Sequence, residues 1–141
     1  MKRTLLICFL LIMMSQVVAA VERCPKPDAT FSGFLAQFAA DTKFQRKRVI
    51  LPLVYRYGSY WISNPEIELW DATKIQALKE PLMLPESKRK ERGIVQEIPI
   101  RTEGYVEVYH HKAEADTYQS LFKFRKVEGC WYLEEIHDTS L

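Results

Sequence analysis

The chain has 141 residues, with 20 basic and 18 acidic side chains and a formal net charge of +2. That length holds one domain. Lys2 and Arg3 account for the whole basic excess, so the rest of the chain is electrically balanced. This excludes a nucleic-acid protein that relies on net or clustered positive charge.

Residues 1–20 predict a secretory signal peptide: Lys2 and Arg3 as the positive start, an apolar run from Leu5 to Met14, and Val18-Ala19-Ala20 as the small-residue cleavage site. The apolar run is about ten residues, half of what a membrane span needs. The expected mature chain begins near Val21, spans no membrane and is periplasmic or secreted. No small-residue lipid-attachment context precedes Cys8 or Cys24. Cys24 and Cys130 are the cysteines left after processing, and an even count in an oxidising compartment points to a disulfide between them. Free or intermolecular thiols are the alternative.

Residues 21–30 read as an extended lead-in with Pro25 and Pro27, and residues 31–141 as a single α+β domain. Phe31, Phe34, Leu35 and Phe38 recur at the spacing of one helix face, with Asp28 or Thr30 as cap. Phe44-Gln45 begins a short second turn. Val49 to Tyr60 alternates as a strand, and Pro52 makes it either an edge strand or a bulged one. Glu66 to Trp70 is a short strand after the Asn64-Pro65 turn. Asp71 caps a short helix running to Lys79. The polar stretch Glu86 to Gly93 reads as a solvated loop: its cations are diluted by Glu86 and Glu91, with no aromatic residue to stack bases. Ile94 to Ile100 alternates weakly around Pro99. Tyr105 to Lys112 is a strand with Tyr105, Glu107, Tyr109 and His111 on one face and Val106, Val108 and His110 on the other. Thr117 to Thr139 closes the chain as a hairpin about Glu128-Gly129, with Phe122, Phe124, Trp131 and Leu133 near the turn. Gly129 suits a three-residue loop with a bulge, and a tighter turn would shift the register. A helix followed by several strands and one inserted helix predicts an amphipathic N-terminal helix packed on a curved antiparallel sheet, cone-like in shape.

Two stretches carry a family resemblance. One is the spaced set Phe31, Phe34, Phe38, Asp41, Phe44-Gln45, Arg48-Val49 and Leu51-Pro52-Leu53; the other is Phe122, Phe124, Gly129-Cys130-Trp131-Tyr132-Leu133 and Asp138. Together they resemble a family of small exported bacterial proteins of unknown function with the nuclear transport factor 2-like, cystatin-like fold. The resemblance implies a helix cradled by a bent sheet, often with a pocket between them. It implies no activity, because that fold hosts enzymes, binding modules and structural dimers.

Candidate sites are few. His110 and His111 point to opposite faces and cannot readily share an ion, so neither a metal site nor a cofactor is expected. His111, with Tyr105, Tyr109 and Glu107 on its face, is a weak acid–base candidate that would need an apolar cleft. Tyr55, Tyr57, Tyr60, Trp61 and Trp70 cluster in sequence and are ligand-binding candidates, because such rings join apolar area to a polar tip. A small core that uses large residues explains the same cluster. The sequence therefore points to a non-enzymatic exported domain that binds a small ligand or protein partner through the helix–sheet pocket or an open sheet face. A small hydrolase- or isomerase-type pocket enzyme and a structural homodimer are the alternatives.

Overall fold

The computed structural model describes residues 24, 26–58 and 64–140. The signal segment, much of the lead-in, Tyr60 and Trp61 lie outside the described residues. After a 3-10 turn at Lys26–Ala29 come α1 (Phe31–Ala40), α2 (Thr42–Lys47), β1 (Val49–Tyr57), β2 (Glu66–Trp70), α3 (Ala72–Ala77) and α4 (Glu86–Glu91). Four strands follow: β3 (Ile94–Arg101), β4 (Tyr105–Lys112), β5 (Ala115–Val127) and β6 (Cys130–Asp138). The strands form one sheet in the order β2-β1-β6-β5-β4-β3. Every pairing is antiparallel except β1 with β6.

Of the two caps the sequence offers, Thr30 starts α1: its Oγ1 accepts from the Gly33 N–H at 3.0 Å. Asp28 is buried instead, with Oδ2 accepting from Arg48 and from the Trp131 N–H. Asp41 caps α2 through the Lys43 and Phe44 N–H groups. The phenylalanine stripe of α1 lies on the sheet, where Phe124 meets Phe31, Phe34 and Phe38 edge-on at 5.3–5.6 Å between ring centres. Edge-to-face pairs of this kind add to the hydrophobic gain of burial.

Sheet register organises the helix-facing surface into transverse rows. Val106, Phe124 and Leu133 form one row under α1, and Val108, Phe122, Ile136 and Tyr55 form the next. Five of these seven side chains are less than 2 % exposed, which puts the core of the domain here.

Of the two readings of Pro52 the bulge holds: β1 lies between β2 and β6, and the β1–β6 register slips between Val49 and Val54. The slip takes Leu51 out of the alternation and leaves it 49 % exposed. Three expectations need correction. The Glu86–Gly93 stretch is not a loop throughout, because Glu86–Glu91 is helical. Glu86 pairs with Lys90 at i,i+4 and Lys88 with Glu91 at i,i+3. The acidic residue in the first turn and the basic ones in the last also suit the helix dipole. The closing turn is tighter than expected, since Val127 pairs with Cys130 and leaves Glu128 (φ 50°) and Gly129 (φ 86°) as a two-residue turn. Phe124 then faces Leu133, while Trp131 faces Lys126 and packs edge-on against Phe31 at 5.0 Å. Finally, the sheet is not antiparallel throughout, because the last strand inserts beside the first.

Cys24 and Cys130 are joined in a disulfide, with their Cα atoms 5.4 Å apart. The bridge fastens the segment before α1 to the start of β6.

Candidate functional site

The row beyond the core is polar from edge to edge. Gln96 on β3 pairs with His110 on β4, His110 with Ser120 on β5, and Ser120 with Asp138 on β6. Asp138 pairs with Tyr57 on β1, and Tyr57 with Glu66 on β2. Strand alternation puts His110, Ser120 and Asp138 on the same side as Val108, Phe122 and Ile136, the side that faces α1. The apolar core thus gives way, within two residues along each strand, to a line of hydrogen-bonding groups.

Most of these groups are held. The Tyr55 hydroxyl donates to Asp138 Oδ2 at 3.0 Å, and the Ser140 N–H donates to the other carboxylate oxygen at 3.0 Å. Burial, then the Asp138 charge, pushes the Tyr55 phenol well above its ordinary value, so it stays a donor. Burial likewise raises the Tyr118 phenol. His110 is fully buried, and desolvation lowers its pKa to about 3, which keeps the ring neutral. Its Nε2 lies 3.0 Å from Gln96 Oε1, so the proton sits on Nε2; Nδ1 is a buried acceptor with no hydrogen-bond partner among the described residues.

The β1–β2 end of the site is aromatic. Tyr55 stacks on Trp70 at 4.2 Å and 11°, and tilts against Tyr57 at 4.7 Å. Trp70 donates its indole N–H to Glu68 at 2.7 Å, and Glu68 also holds Lys74, whose ammonium lies 4.6 Å from the indole centre. The hydrogen bond from Lys74, then that from Trp70, lowers the Glu68 pKa. Burial, then its bond to Glu68, raises the Tyr57 phenol. Three of the five aromatic candidates, Tyr55, Tyr57 and Trp70, therefore meet in space. Tyr55 and Trp70 also pack against the core, as the alternative of a small core built from large residues expects.

The other candidates lie elsewhere. Tyr105, Glu107, Tyr109 and His111 share the sheet face away from α1, and each is half-buried. The Tyr105 hydroxyl donates to Glu107 at 2.6 Å; burial, then that bond, raises its pKa. His111 stacks on Tyr109 at 4.8 Å, and its Nε2 lies 3.1 Å from Glu97. The two adjacent histidines are thus divided between the faces. Among the described residues, Cys24, Asp28 and Cys130 form the cluster with metal-ligand spacing, but its two sulfurs are bonded to each other. No helix among the described residues is long and apolar enough to cross a membrane.

Sequence reasoning missed Gln96, Ser120, Tyr118 and Asp138 as site residues. The signal that could have found them is the change from Phe122 to Ser120 and from Ile136 to Asp138, an apolar-to-polar switch on one face of two neighbouring strands.

A helix cradled against a curved six-stranded sheet, with polar groups at the margin of the shared core, is the nuclear transport factor 2-like architecture. A solved NTF2-like protein from Bacteroides fragilis NCTC 9343 is similar over 79 % of this chain and 47 % of its own, at 18 % identity and a TM-score of 0.54. The chain therefore spans under half the length of that neighbour. Weaker likenesses are a de novo designed protein with a curved β-sheet (13 % identity, 76 % and 92 % covered, TM-score 0.42) and a protein of unknown function from the DUF3225 family of Pectobacterium atrosepticum SCRI1043 (12 %, 80 % and 85 %, TM-score 0.40). No curated protein matches the chain. Residues 13–141 match the family described as Domain of unknown function (DUF4348), and the chain belongs to that family.

Proposed function

We propose that this chain is an exported, non-enzymatic binding domain that takes a small ligand at the polar margin of its helix-facing sheet surface, beside Tyr55, Tyr57 and Trp70. The observation that carries this reading is the transverse row Gln96–His110–Ser120–Asp138–Tyr57, where polar groups, His110 and Ser120 buried and the other three half-buried, replace core residues on adjacent strands. A buried polar atom without a hydrogen bond is costly, and the unmatched Nδ1 of the neutral His110 suits a ligand hydroxyl or amide donor. Tyr55 and Trp70 add a flat apolar wall.

The test is native mass spectrometry of protein purified from its own host, beside Ser120→Leu and Tyr57→Ala. A small molecule carried by the parent and lost from both variants at unchanged thermal midpoint supports the reading. A parent that carries none, and that no compound in a thermal-shift screen stabilises, overturns it. Export is supported by the signal layout and by the disulfide. Intact-mass analysis of the natively produced protein should show the loss of about twenty residues, and retention of residues 1–20 would remove the exported reading.

A sheet-to-sheet homodimer is favoured by a separate observation. Ile67 and Leu69 on edge strand β2 are 53 % and 64 % exposed. Sedimentation of the parent beside Leu69→Lys tests it, and a parent that is monomeric at high concentration rules it out.

A further inference from the structure

Helix α1 has two working stripes. Phe31, Phe34 and Phe38 fill the core, while Ser32, Leu35, Ala36, Ala39 and Ala40 line a cleft of about 320 Å³. Glu86 and Arg89 of α4, with Gln96 and Ile98 of β3, form the opposite wall. The volume is at the small end of the range for ligand pockets. The cleft lies at the β3 end of the polar row, while Tyr55 and Trp70 lie at the β1–β2 end.

The charges of α4 are unevenly paired. Lys90 holds Glu86 at 2.6 Å and Lys88 holds Glu91 at 2.7 Å. Arg89, on the cleft wall, makes no ion pair of its own with a carboxylate among the described residues, although its charge lies near Glu86, and its Nε is buried with no hydrogen-bond partner among the described residues. Leaving such a donor unmatched is costly, more so on a charged group. Gln96 turns its Oε1 to His110, which leaves its amide nitrogen as a second donor in the cleft wall. We propose that this cleft binds a small monocarboxylate, with the carboxylate on the Arg89 guanidinium and a short apolar body against Leu35, Ala36, Ala39, Ala40 and Ile98. A planar guanidinium matches a carboxylate in a two-pronged contact. One cation, alanine walls and the Glu86 carboxylate at the same wall fit a monoanion with an apolar body better than a phosphate.

The inference goes beyond the ligand reading above and is tested apart from it. Calorimetric titration of the purified protein with benzoate, butyrate, benzamide and inorganic phosphate would be run on the parent, Arg89→Gln and Ala36→Trp. Ala36 is exposed on α1, so the larger ring fills the cleft without entering the core. The expected result is saturable binding of benzoate or butyrate by the parent. Benzamide and phosphate should bind at least about tenfold more weakly, and both variants should lose at least about tenfold in carboxylate affinity at unchanged thermal midpoint; tenfold corresponds to about 1.4 kcal/mol. If Arg89→Gln does not fold, the benzoate-to-benzamide ratio on the parent and the Ala36→Trp result decide. No saturable carboxylate binding by the parent, equal binding of benzamide, or full binding by Ala36→Trp would each overturn the proposal.

Discussion

The Tyr55 hydroxyl donates to Asp138 Oδ2 at 3.0 Å across the seam where β1 and β6 run parallel. This bond joins the first strand of the sheet to the last and sits where the core meets the polar row. Tyr55→Phe removes the donor and keeps the ring stacked on Trp70. The expected loss is about 1–2 kcal/mol, the worth of a hydrogen bond to a charged group at a partly buried site, read from urea unfolding. Because burial and Asp138 raise the folded-state phenol pKa, the protonated form stabilises the fold below the ordinary value. That contribution is lost as pH rises from the ordinary tyrosine value of about 10 toward the higher folded-state pKa. Tyr55→Phe should therefore flatten the alkaline limb of the stability–pH curve, and a limb of unchanged slope would count against the assignment.

His110 predicts the acid side. Its folded-state pKa of about 3 lies below the unfolded value, so the unfolded chain takes up the proton first as pH falls. The sign is fixed by that order: stability is full above about pH 6.5 and falls as pH drops toward 3. One such proton gives a slope of at most about 1.4 kcal/mol per pH unit. His110→Gln should remove one proton's worth of this slope, measured by thermal unfolding between those limits. An identical acid limb in the variant would place the buried neutral imidazole elsewhere.

The Cys24–Cys130 bridge closes a loop with a sequence separation of 106. Loop entropy for that length is worth about 4–5 kcal/mol in the unfolded chain. Cys24→Ser/Cys130→Ser should lower the thermal midpoint strongly and make it insensitive to reductant, while the parent's midpoint falls on reduction. A parent whose midpoint ignores reductant would show that the bridge does not constrain the chain.

Much of this architecture was legible because it rests on local pattern. The Phe31–Phe38 stripe, the Glu66–Trp70 strand and the Tyr105–Lys112 alternation each repeat a period that sequence displays directly. The polar row was not legible, because it depends on how β3, β4, β5, β6 and β1 align, and register is a property of pairs of strands. Gln96, Ser120 and Asp138 are unremarkable singly; only the pairing of Ser120 with both His110 and Asp138 makes them a line. The parallel β1–β6 contact was hidden for the same reason. The helix at Glu86–Glu91 was hidden because the same charges suit a solvated loop until their spacing is read as i,i+4 pairs. Of the aromatic cluster, Tyr55, Tyr57 and Trp70 came together because i,i+2 spacing on β1 and the β1–β2 pairing put them side by side. Tyr105, Glu107, Tyr109 and His111 kept their shared face, as alternation requires.

Trp131 is 4 % exposed and packs against Phe31. Trp131→Ala should cost about 3–5 kcal/mol, the range for deleting a buried aromatic. Thermal unfolding beside the parent reads it. A ligand-contacting Trp131 would instead keep the midpoint and lose binding.

Asp28 and Arg48 carry the last prediction. Their side chains form an ion pair with each partner less than 10 % exposed, and Asp28 Oδ2 also accepts from the Trp131 N–H. Arg48 lies 5.1 Å from the centres of the Phe44 and Tyr132 rings, so its guanidinium has aromatic neighbours but no second carboxylate among the described residues. Asp28→Ala leaves that cation buried and uncompensated, with an expected cost of about 3–5 kcal/mol. Arg48→Met alone leaves the carboxylate buried and costs a similar amount. The double variant Asp28→Ala/Arg48→Met removes both charges and should recover much of the loss, since a buried pair can be replaced by apolar groups at little net cost. Recovery should be incomplete, because the Trp131 N–H still lacks its acceptor. Chemical denaturation of the four proteins gives the coupling energy directly. Additive losses, with no recovery in the double variant, would show that Asp28 acts through Trp131 alone and that Arg48 is held by its ring contacts.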